Sequence, residues 1–153
     1  MKTPSYEQAL SRAAALCSGS EHCTSEIRKK LLLWGLSPTQ TEKAITYLIE
    51  EKYIDNQRFC RAYCLDKLRY NHWGRIKIAQ MLHMLGMENA EIKEGLDAIP
   101  EEEYQEVLIH ILGQKNKQIK EADSYIRKGK LVRHALSRGF ETHLILELAE
   151  QFL

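Results

Sequence analysis

Glycine, proline and β-branched runs are scarce in this chain, which has 153 residues and only eight glycines and three prolines. Glycine and proline disfavour helix interiors, whereas β-branched runs favour strands. The scarcity of all three predicts a mostly helical protein and argues against a sheet-rich fold. Hydrophobic residues make up 44% of the chain, which is enough to bury the core of one domain or a short row of repeats.

Long apolar segments are also missing. Every apolar run is far shorter than the roughly 20 residues of a membrane-spanning helix. The N-terminal sequence MKTPSYEQAL lacks the apolar core of a signal peptide. We therefore expect a cytoplasmic protein that makes no contact with a membrane.

Catalytic motifs are absent too. The sequence has no GxSxG elbow, Walker loop, HExxH pair or dinucleotide fingerprint, and its six histidines are scattered without metal-ligand spacing. The cysteines lack the CxxC spacing of a zinc site, so we expect buried reduced thiols, with a metal or redox role as the alternative. These cysteines are Cys17, Cys23, Cys60 and Cys64. We expect no enzymatic activity, no cofactor and no bound metal.

Charge is nearly balanced overall but is strongly segregated along the chain. The net charge is +1, yet residues 52–86 carry +5, residues 87–106 carry −7 and residues 107–138 carry +6. Blocks of this kind create local potentials of several kT. They indicate a charged partner, although solvated helix faces would give the same pattern.

What the sequence does contain is a recurring glycine followed by an apolar residue. Gly35, Gly86 and Gly139 lie 51 and 53 residues apart. Apolar or small residues stand eight and four positions before each glycine and nine, ten and thirteen positions after it, which fits one face of a helix. Each glycine is therefore predicted to end a helix in the left-handed conformation, and the next residue to pack back on that helix. Coincidence of common dipeptides is the alternative to a repeat of about 50 residues.

Capping patterns set the expected helix boundaries. Ser5 and Ser37 begin capping boxes, Asp55 caps a helix whose start is flanked by Ile54 and Phe59 as a hydrophobic staple, and Pro100 precedes a run of glutamates. The expected helices are 5–17, 24–34, 38–51, 56–71, 75–85, 89–98, 101–116, 120–138 and 141–152. They group into three three-helix repeats, 1–52, 53–99 and 100–153, which together predict an all-α, elongated, curved array.

Basic groups recur along this array and are the candidate binding residues. In the predicted helix 56–71, Arg58, Arg61 and Arg69 lie opposite the apolar face. A long acidic surface, either nucleic acid or a protein polymer, is the partner that such groups favour. Trp34 and Trp73 could stack on bases, although packing against a helix is the more common role. The candidate partner-binding residues are Arg28, Lys29, Lys30, Arg58, Arg61, Arg69, Arg75, Lys77, Arg127, Lys128, Arg133 and Arg138.

The segment YIDNQRFCRAYCLDKLRYNHWGRIKIAQMLHMLGM, residues 53–87, resembles the central motif of the RecX family of recombination regulators. The family pattern is Tyr-[Leu/Ile]-Asp-Asp-x-Arg-[Phe/Tyr], then an aromatic residue, Gly-Pro-x-[Arg/Lys]-Ile and Leu-x-x-x-Gly-[Ile/Met]. CTSEIRKKL in the first repeat and LSRGF near the C-terminus are similar to other family segments. The positions that fit the central motif are Tyr53, Ile54, Asp55, Arg58, Phe59, Tyr63, Gly74, Lys77, Ile78, Leu82, Gly86 and Met87.

The resemblance implies a non-enzymatic monomer made of tandem three-helix repeats. It implies binding to the filament of the recombinase RecA, inhibition of its ATPase, strand-exchange and coprotease activities, and weaker contact with DNA alone. A general nucleic-acid-binding helical protein is the alternative function. The chain departs from the family pattern at Asn56 (usually Asp), Arg75 (usually Pro) and Cys23 (usually Ser), and we expect Thr24 to take over the helix cap.

Overall fold

The computed structural model describes residues 3–153, and within this range the chain folds into nine α-helices and one short 3₁₀ helix, without a strand. The all-α prediction is thus confirmed for the described residues. No helix in this part of the chain combines the length and apolar character needed to cross a bilayer. The helices are α1 (Tyr6–Gly19), α2 (Thr24–Leu33), α3 (Pro38–Glu50), α4 (Asn56–Asn71), α5 (Arg75–Met84), α6 (Asn89–Asp97), α7 (Glu101–Gln118), α8 (Ser124–Ser137) and α9 (Thr142–Ala149), followed by the 3₁₀ turn Glu150–Phe152.

Helices α1, α3, α4 and α8 begin where a capping side chain accepts the backbone N–H three residues further on. Ser5 and Ser37 form reciprocal capping boxes with Gln8 and Gln40, and the Asp55 carboxylate accepts from the Arg58 N–H. These predicted caps are confirmed. Helix α8 starts four residues later than expected, because the Asp123 carboxylate accepts from the Ile126 N–H and so caps it there.

The predicted cap of α2 by Thr24 is wrong. Cys23 occupies the N-cap position, and its backbone N–H donates to the Glu26 carboxylate at 3.1 Å. The Thr24 N–H is instead satisfied by the side-chain oxygen of Asn56 at 3.1 Å, from the start of α4. Two of the departures from the family pattern, Cys23 and Asn56, therefore lie at the junction of the first three helices with the rest, where Asn56 bonds to the neighbour of Cys23.

Gly35, Gly86 and Gly139 have backbone φ angles of +102°, +85° and +91°, so the predicted left-handed helix ends are confirmed. The residue after each glycine donates its N–H to the carbonyl five positions earlier, and its side chain is buried. This is the Schellman motif with its apolar contact. The three N–H···O bonds are Leu36 to Leu31, Met87 to Leu82, and Phe140 to Ala135.

The buried side chains form two separate clusters. One lies among α1–α3 and ends at Ile54, and the other runs continuously from α4 to α9 and contains Phe59. Ile54 and Phe59, which we expected to pack on each other, thus belong to different clusters. The boundary between the two cores lies at the N-terminus of α4, where only Cys23 of the first three helices enters the larger cluster.

The helices around Gly74 and Gly139 are joined by direct backbone contact. The Gly74 N–H donates to the Arg138 carbonyl at 2.8 Å, and the Ile76 N–H donates to the Gly139 carbonyl at 3.0 Å. A Cβ on Gly74 would lie 2.5 Å from the Phe140 nitrogen, so no larger residue fits without a shift. This close approach explains why one core spans α4 to α9.

The junction between α3 and α4 is much looser. Within residues 3–153, no helix of α1–α3 packs extensively along a helix of α4–α9. The accessible surface of 9202 Å² exceeds the roughly 8,000 Å² expected for a compact protein of 17.8 kDa. The array is therefore extended rather than globular.

Candidate functional site

The three arginines of α4 lie where the sequence predicted, but each forms an ion pair with a carboxylate of another segment. The Nε of Arg58 is 2.5 Å from a Glu21 oxygen, and that of Arg69 is 2.6 Å from a Glu103 oxygen. Arg61 pairs with Glu94. These arginines are thus neutralised within the chain, and their partner-binding role stays a prediction.

Arg75, at the position where the family pattern has proline, holds α5 against α7 and α9. Its guanidinium bonds to Glu141 at 2.8 Å and to Glu101, and it lies over the ring of Tyr104 at 3.7 Å. The Arg75 N–H also donates to the Tyr104 hydroxyl at 2.9 Å, and that hydroxyl donates to Glu141. Burial first, and then the bond to Glu141, raises the pKa of Tyr104, so the phenol stays neutral. The geometry assigns Arg75 to the internal network of the chain.

Most of the remaining candidate arginines are also engaged internally. Arg28 bonds to Glu42 at 2.7 Å, and Arg138 donates to the Asn71 carbonyl at 3.2 Å. Arg127 donates to the side chain of Asn116 and to the Glu121 carbonyl, closing the loop between α7 and α8. Lys128 bonds to Glu150 at 2.9 Å.

Six of the candidate cations form no ion pair within residues 3–153, and two of them, Arg127 and Arg138, are held by hydrogen bonds to neutral oxygens. The other four have neither an ion pair nor a side-chain hydrogen bond in this range: Lys29, Lys30, Lys77 and Arg133. The ammonium of Lys77 lies 4.8 Å from the ring centre of Trp73, and that of Lys67 lies 5.0 Å from it. Trp73 itself packs against the larger core, and Trp34 packs against the smaller one beneath Arg12. Both tryptophans therefore have the packing role that the sequence left open.

Lys29 and Lys30 line a cleft of about 580 Å³ between α2 and the C-terminal end of α5. The cleft also contains one carboxylate, Glu26, which accepts the Cys23 N–H. Leu33 and Met84 stand at its walls with 80% and 79% of their surfaces exposed. The Ser25 hydroxyl bridges the cleft by donating to the Leu85 carbonyl at 2.6 Å. Two apolar side chains and two unpaired ammonium groups thus face solvent together.

Leu33 and Met84 are equivalent positions, since each lies two residues before a helix-ending glycine. Such positions face away from the core, because the side chains that pack inward lie at four and eight residues before the glycine. The sequence alignment of the repeats contained this signal, but only the structure shows that the two side chains line one cleft.

A second group, which sequence reasoning missed, consists of three histidines. His72, His110 and His134 line a small pocket with Lys115 and Arg138, although they are far apart in the sequence. The rings of His72 and His110 are 5.4 Å apart in an edge-to-face arrangement. No local sequence motif predicts this pocket, because its residues come from three different helix regions.

The four cysteines are free and buried, as predicted. Burial raises the pKa of Cys60 to about 11 and that of Cys64 to about 12. Both are therefore neutral thiols at physiological pH and poor nucleophiles.

Two family models match the sequence. The model described as "RecX, second three-helix domain" matches residues 55–96, and the model described as "RecX, third three-helix domain" matches residues 101–148. The chain is 30% identical over 144 residues to "Regulatory protein RecX" of Clostridium botulinum strain Alaska E43, covering 92% of this chain and 67% of that protein. It is 28% identical to the protein of the same name from strain Eklund 17B, of which it covers 59%.

One relative and one solved structure resemble the chain over almost the whole length of both proteins. "Regulatory protein RecX" of Prosthecochloris aestuarii is 26% identical, with 100% of this chain and 99% of that protein covered. The crystal structure of RecX from Lactobacillus salivarius superimposes with a TM-score of 0.85 over 96% of both chains at 14% sequence identity. At that identity the superposition shows the all-helical repeat fold alone.

Proposed function

This chain belongs to the RecX family of regulatory proteins, and on that premise we propose that it binds the RecA recombinase filament and inhibits its ATPase, strand-exchange and coprotease activities. RecA as the partner comes from the resemblance of residues 53–87 to the family motif. Curated relatives are named regulatory proteins, which supports a regulatory role for this chain.

The observation that carries the proposal is the cleft between α2 and α5. Leu33 and Met84 are exposed there next to Lys29 and Lys30, which have no carboxylate partner among the described residues. Exposed apolar anchors beside unpaired cations are typical of a surface that binds an acidic protein. The cleft joins the first three helices to the rest, so one ligand could contact both parts at once.

The test is a titration of RecA ATP hydrolysis on single-stranded DNA with this protein. We expect inhibition at substoichiometric amounts, because one extended molecule contacts several subunits of a filament. The absence of inhibition over a wide range of concentrations would reject the function.

Substitutions in the cleft test whether it is the surface that contacts RecA. We expect the double replacement Leu33→Gln and Met84→Gln to weaken inhibition at least tenfold, since hot-spot side chains contribute about 2 kcal/mol or more each. Leu146→Gln on α9, which replaces another exposed leucine, is the control and should inhibit normally. Equal inhibition by both proteins would place the RecA contact elsewhere without contradicting the function.

General nucleic-acid binding, the alternative, has less support from the charges. Arg58, Arg61 and Arg69 are each paired with a glutamate, which lowers the positive potential of α4. Tight binding of DNA without RecA, with a steep dependence on salt, would favour this alternative.

A further inference from the structure

The pocket formed by the three histidines has a volume of about 180 Å³ and lies where α7 faces the end of α4 and the C-terminal half of α8. Among its described lining residues none is acidic. Its polar groups are three imidazoles, one ammonium, one guanidinium and two side-chain amides. The lining residues are His72, His110, Ile111, Gln114, Lys115, Gln118, His134 and Arg138.

The fold fixes these groups in place. His72 ends α4 in the left-handed conformation, with φ of +55°, and donates its N–H to the Leu68 carbonyl. Arg138 follows α8 one turn after His134, and its Nη1 donates to the Asn71 carbonyl at 3.2 Å. The guanidinium of Arg138 is therefore positioned by a backbone carbonyl, and among residues 3–153 no carboxylate pairs with Arg138 or Lys115.

Positive groups crowd one another here. The pKa of His72 is lowered by burial and then by His110 and Arg138, and the pKa of His134 is lowered by burial and then by Lys115 and Arg138. Burial is the larger cause of both shifts and the neighbouring basic groups add to it, so both disfavour the charged imidazole. Elsewhere in the chain Arg28, Arg58, Arg61, Arg69, Arg75 and Lys128 have glutamate partners.

A metal ion does not explain the arrangement. Within residues 3–153, no three His, Cys, Asp or Glu side chains are placed to share a metal ion. Lys115 and Arg138 at the same pocket would also repel a cation.

We propose that this pocket binds a phosphate group. Arginine and lysine form charge-assisted hydrogen bonds with phosphate oxygens, whereas the imidazoles, as neutral rings with one N–H each, and the amides of Gln114 and Gln118 add neutral donors. A phosphate brings more negative charge and more acceptor oxygens than a carboxylate, and so suits a site with one arginine, one lysine and three histidines. The phosphate source is either the backbone of a nucleic acid or a free phosphate.

The experiment follows the imidazole Cε1–H signals of the full chain by proton NMR, in the presence of EDTA. The probes are inorganic phosphate, sodium chloride at matched ionic strength, sodium acetate, and a short single-stranded oligo(dT). We expect phosphate to shift the signals of His72, His110 and His134 saturably and to raise the apparent pKa values of His72 and His134, because an anion stabilises the protonated rings.

The four probes distinguish a nucleic-acid backbone, a free phosphate and a non-specific effect of salt. Saturation by oligo(dT) at lower concentration than by inorganic phosphate identifies a nucleic-acid backbone as the source, and saturation by inorganic phosphate alone identifies a free phosphate. Equal effects of phosphate and chloride would overturn the proposal. An acetate response as strong as the phosphate response would also overturn it, in favour of an acidic protein.

A matched pair of variants separates the pocket from general charge. Lys115→Gln should weaken phosphate binding about tenfold, as expected for the loss of one charge-assisted contact. Lys117→Gln removes the same charge from the same helix outside the pocket, and should bind like the parent. Equal weakening by both would show that only the overall charge matters. The readout needs no RecA, so it is independent of the proposed regulatory function.

Discussion

Leu82 shows how much one side chain contributes to the larger core. It is fully buried in α5, and its carbonyl accepts the N–H of Met87 in the helix-ending motif. We expect Leu82→Ala to lower the free energy of unfolding by about 2–5 kcal/mol, from lost burial and the cavity left behind. Urea denaturation followed by circular dichroism measures this change. Leu33→Ala, which truncates a leucine that is 80% exposed, is the control and should be nearly neutral; similar losses in both variants would contradict the assigned core.

The lowered pKa values of two pocket histidines predict that the stability of the fold depends on pH. Because the pKa values of His72 and His134 lie below the ordinary value of 6.5, the folded chain binds fewer protons than the unfolded chain just below that pH. Their contribution to stability is therefore complete above pH 6.5 and is lost as the pH falls through the lowered values. We expect the melting temperature in phosphate-free buffer to fall on acidification from pH about 7 to about 5.

Two variants test whether the pocket causes this pH dependence. His134→Gln removes one of the two titrating rings and should make the fall in melting temperature smaller. His83→Gln, at an exposed position of α5 outside the pocket, should leave the fall unchanged. If the melting temperature fell equally with pH in the parent and in both variants, the acid sensitivity would come from other groups.

At the residue scale, the sequence could place the arginines but not their partners. Burial periodicity correctly put Arg58, Arg61 and Arg69 opposite the apolar face of α4. The glutamates that pair with them lie 37, 33 and 34 positions away along the chain. Local spacing carries no signal for contacts at that separation, so unpaired cations could not be told from paired ones. Replacing all three by alanine therefore removes ion pairs between segments as well as positive charge.

At the scale of the helix, Gly129 is the clearest local weakness. It lies inside α8, where a glycine costs about 1 kcal/mol relative to alanine, and the nearest atom to an added Cβ is the flexible Arg133 guanidinium at 3.4 Å. We expect Gly129→Ala to raise stability by about 0.5–1 kcal/mol, measured by thermal melting. A decrease would mean that α8 is tighter around this position than the structure indicates.

The helix boundaries show what local chemistry does and does not determine. Capping boxes and helix-ending glycines are short-range signals, and the helix ends that they mark were found correctly. The cap of α2 was wrong because the N–H of Thr24 is satisfied by Asn56, which is distant in sequence. The start of α8 was placed too early because the charged residues before Asp123 suit a helix as well as a loop.

At the scale of the whole molecule, a comparison of Gly86 with Gly139 distinguishes the energetic cost of ending a helix from the cost of packing between repeats. Both have positive φ, but a Cβ on Gly86 would meet nothing within 4 Å, whereas one on Gly139 would overlap Lys77 and lie 2.6 Å from its nitrogen. We expect Gly86→Ala to cost about 1–2 kcal/mol from the backbone alone. Gly139→Ala should cost about 1–3 kcal/mol more, from the forced separation of α5 and the α8–α9 turn.

The two variants are compared by urea denaturation under the same conditions. An equal loss in both would show that the contact between Gly74 and Gly139 tolerates an extra methyl group. The sequence predicted the positive φ at both glycines from their repeat position. It could not predict that only one of them touches another backbone, because that depends on how successive repeats stack.

The separation of the two cores has a mechanical consequence. The first three helices are attached to the rest by the Cys23 side chain, the bonds of Thr24 and Ser25 to Asn56 and Leu85, and the Arg58–Glu21 pair. Under tension along the array, strain would concentrate at this joint while α4–α9 moved as a stiff unit. The binding cleft proposed above lies across this joint, so a shift of one part relative to the other would change the spacing of Leu33 and Met84.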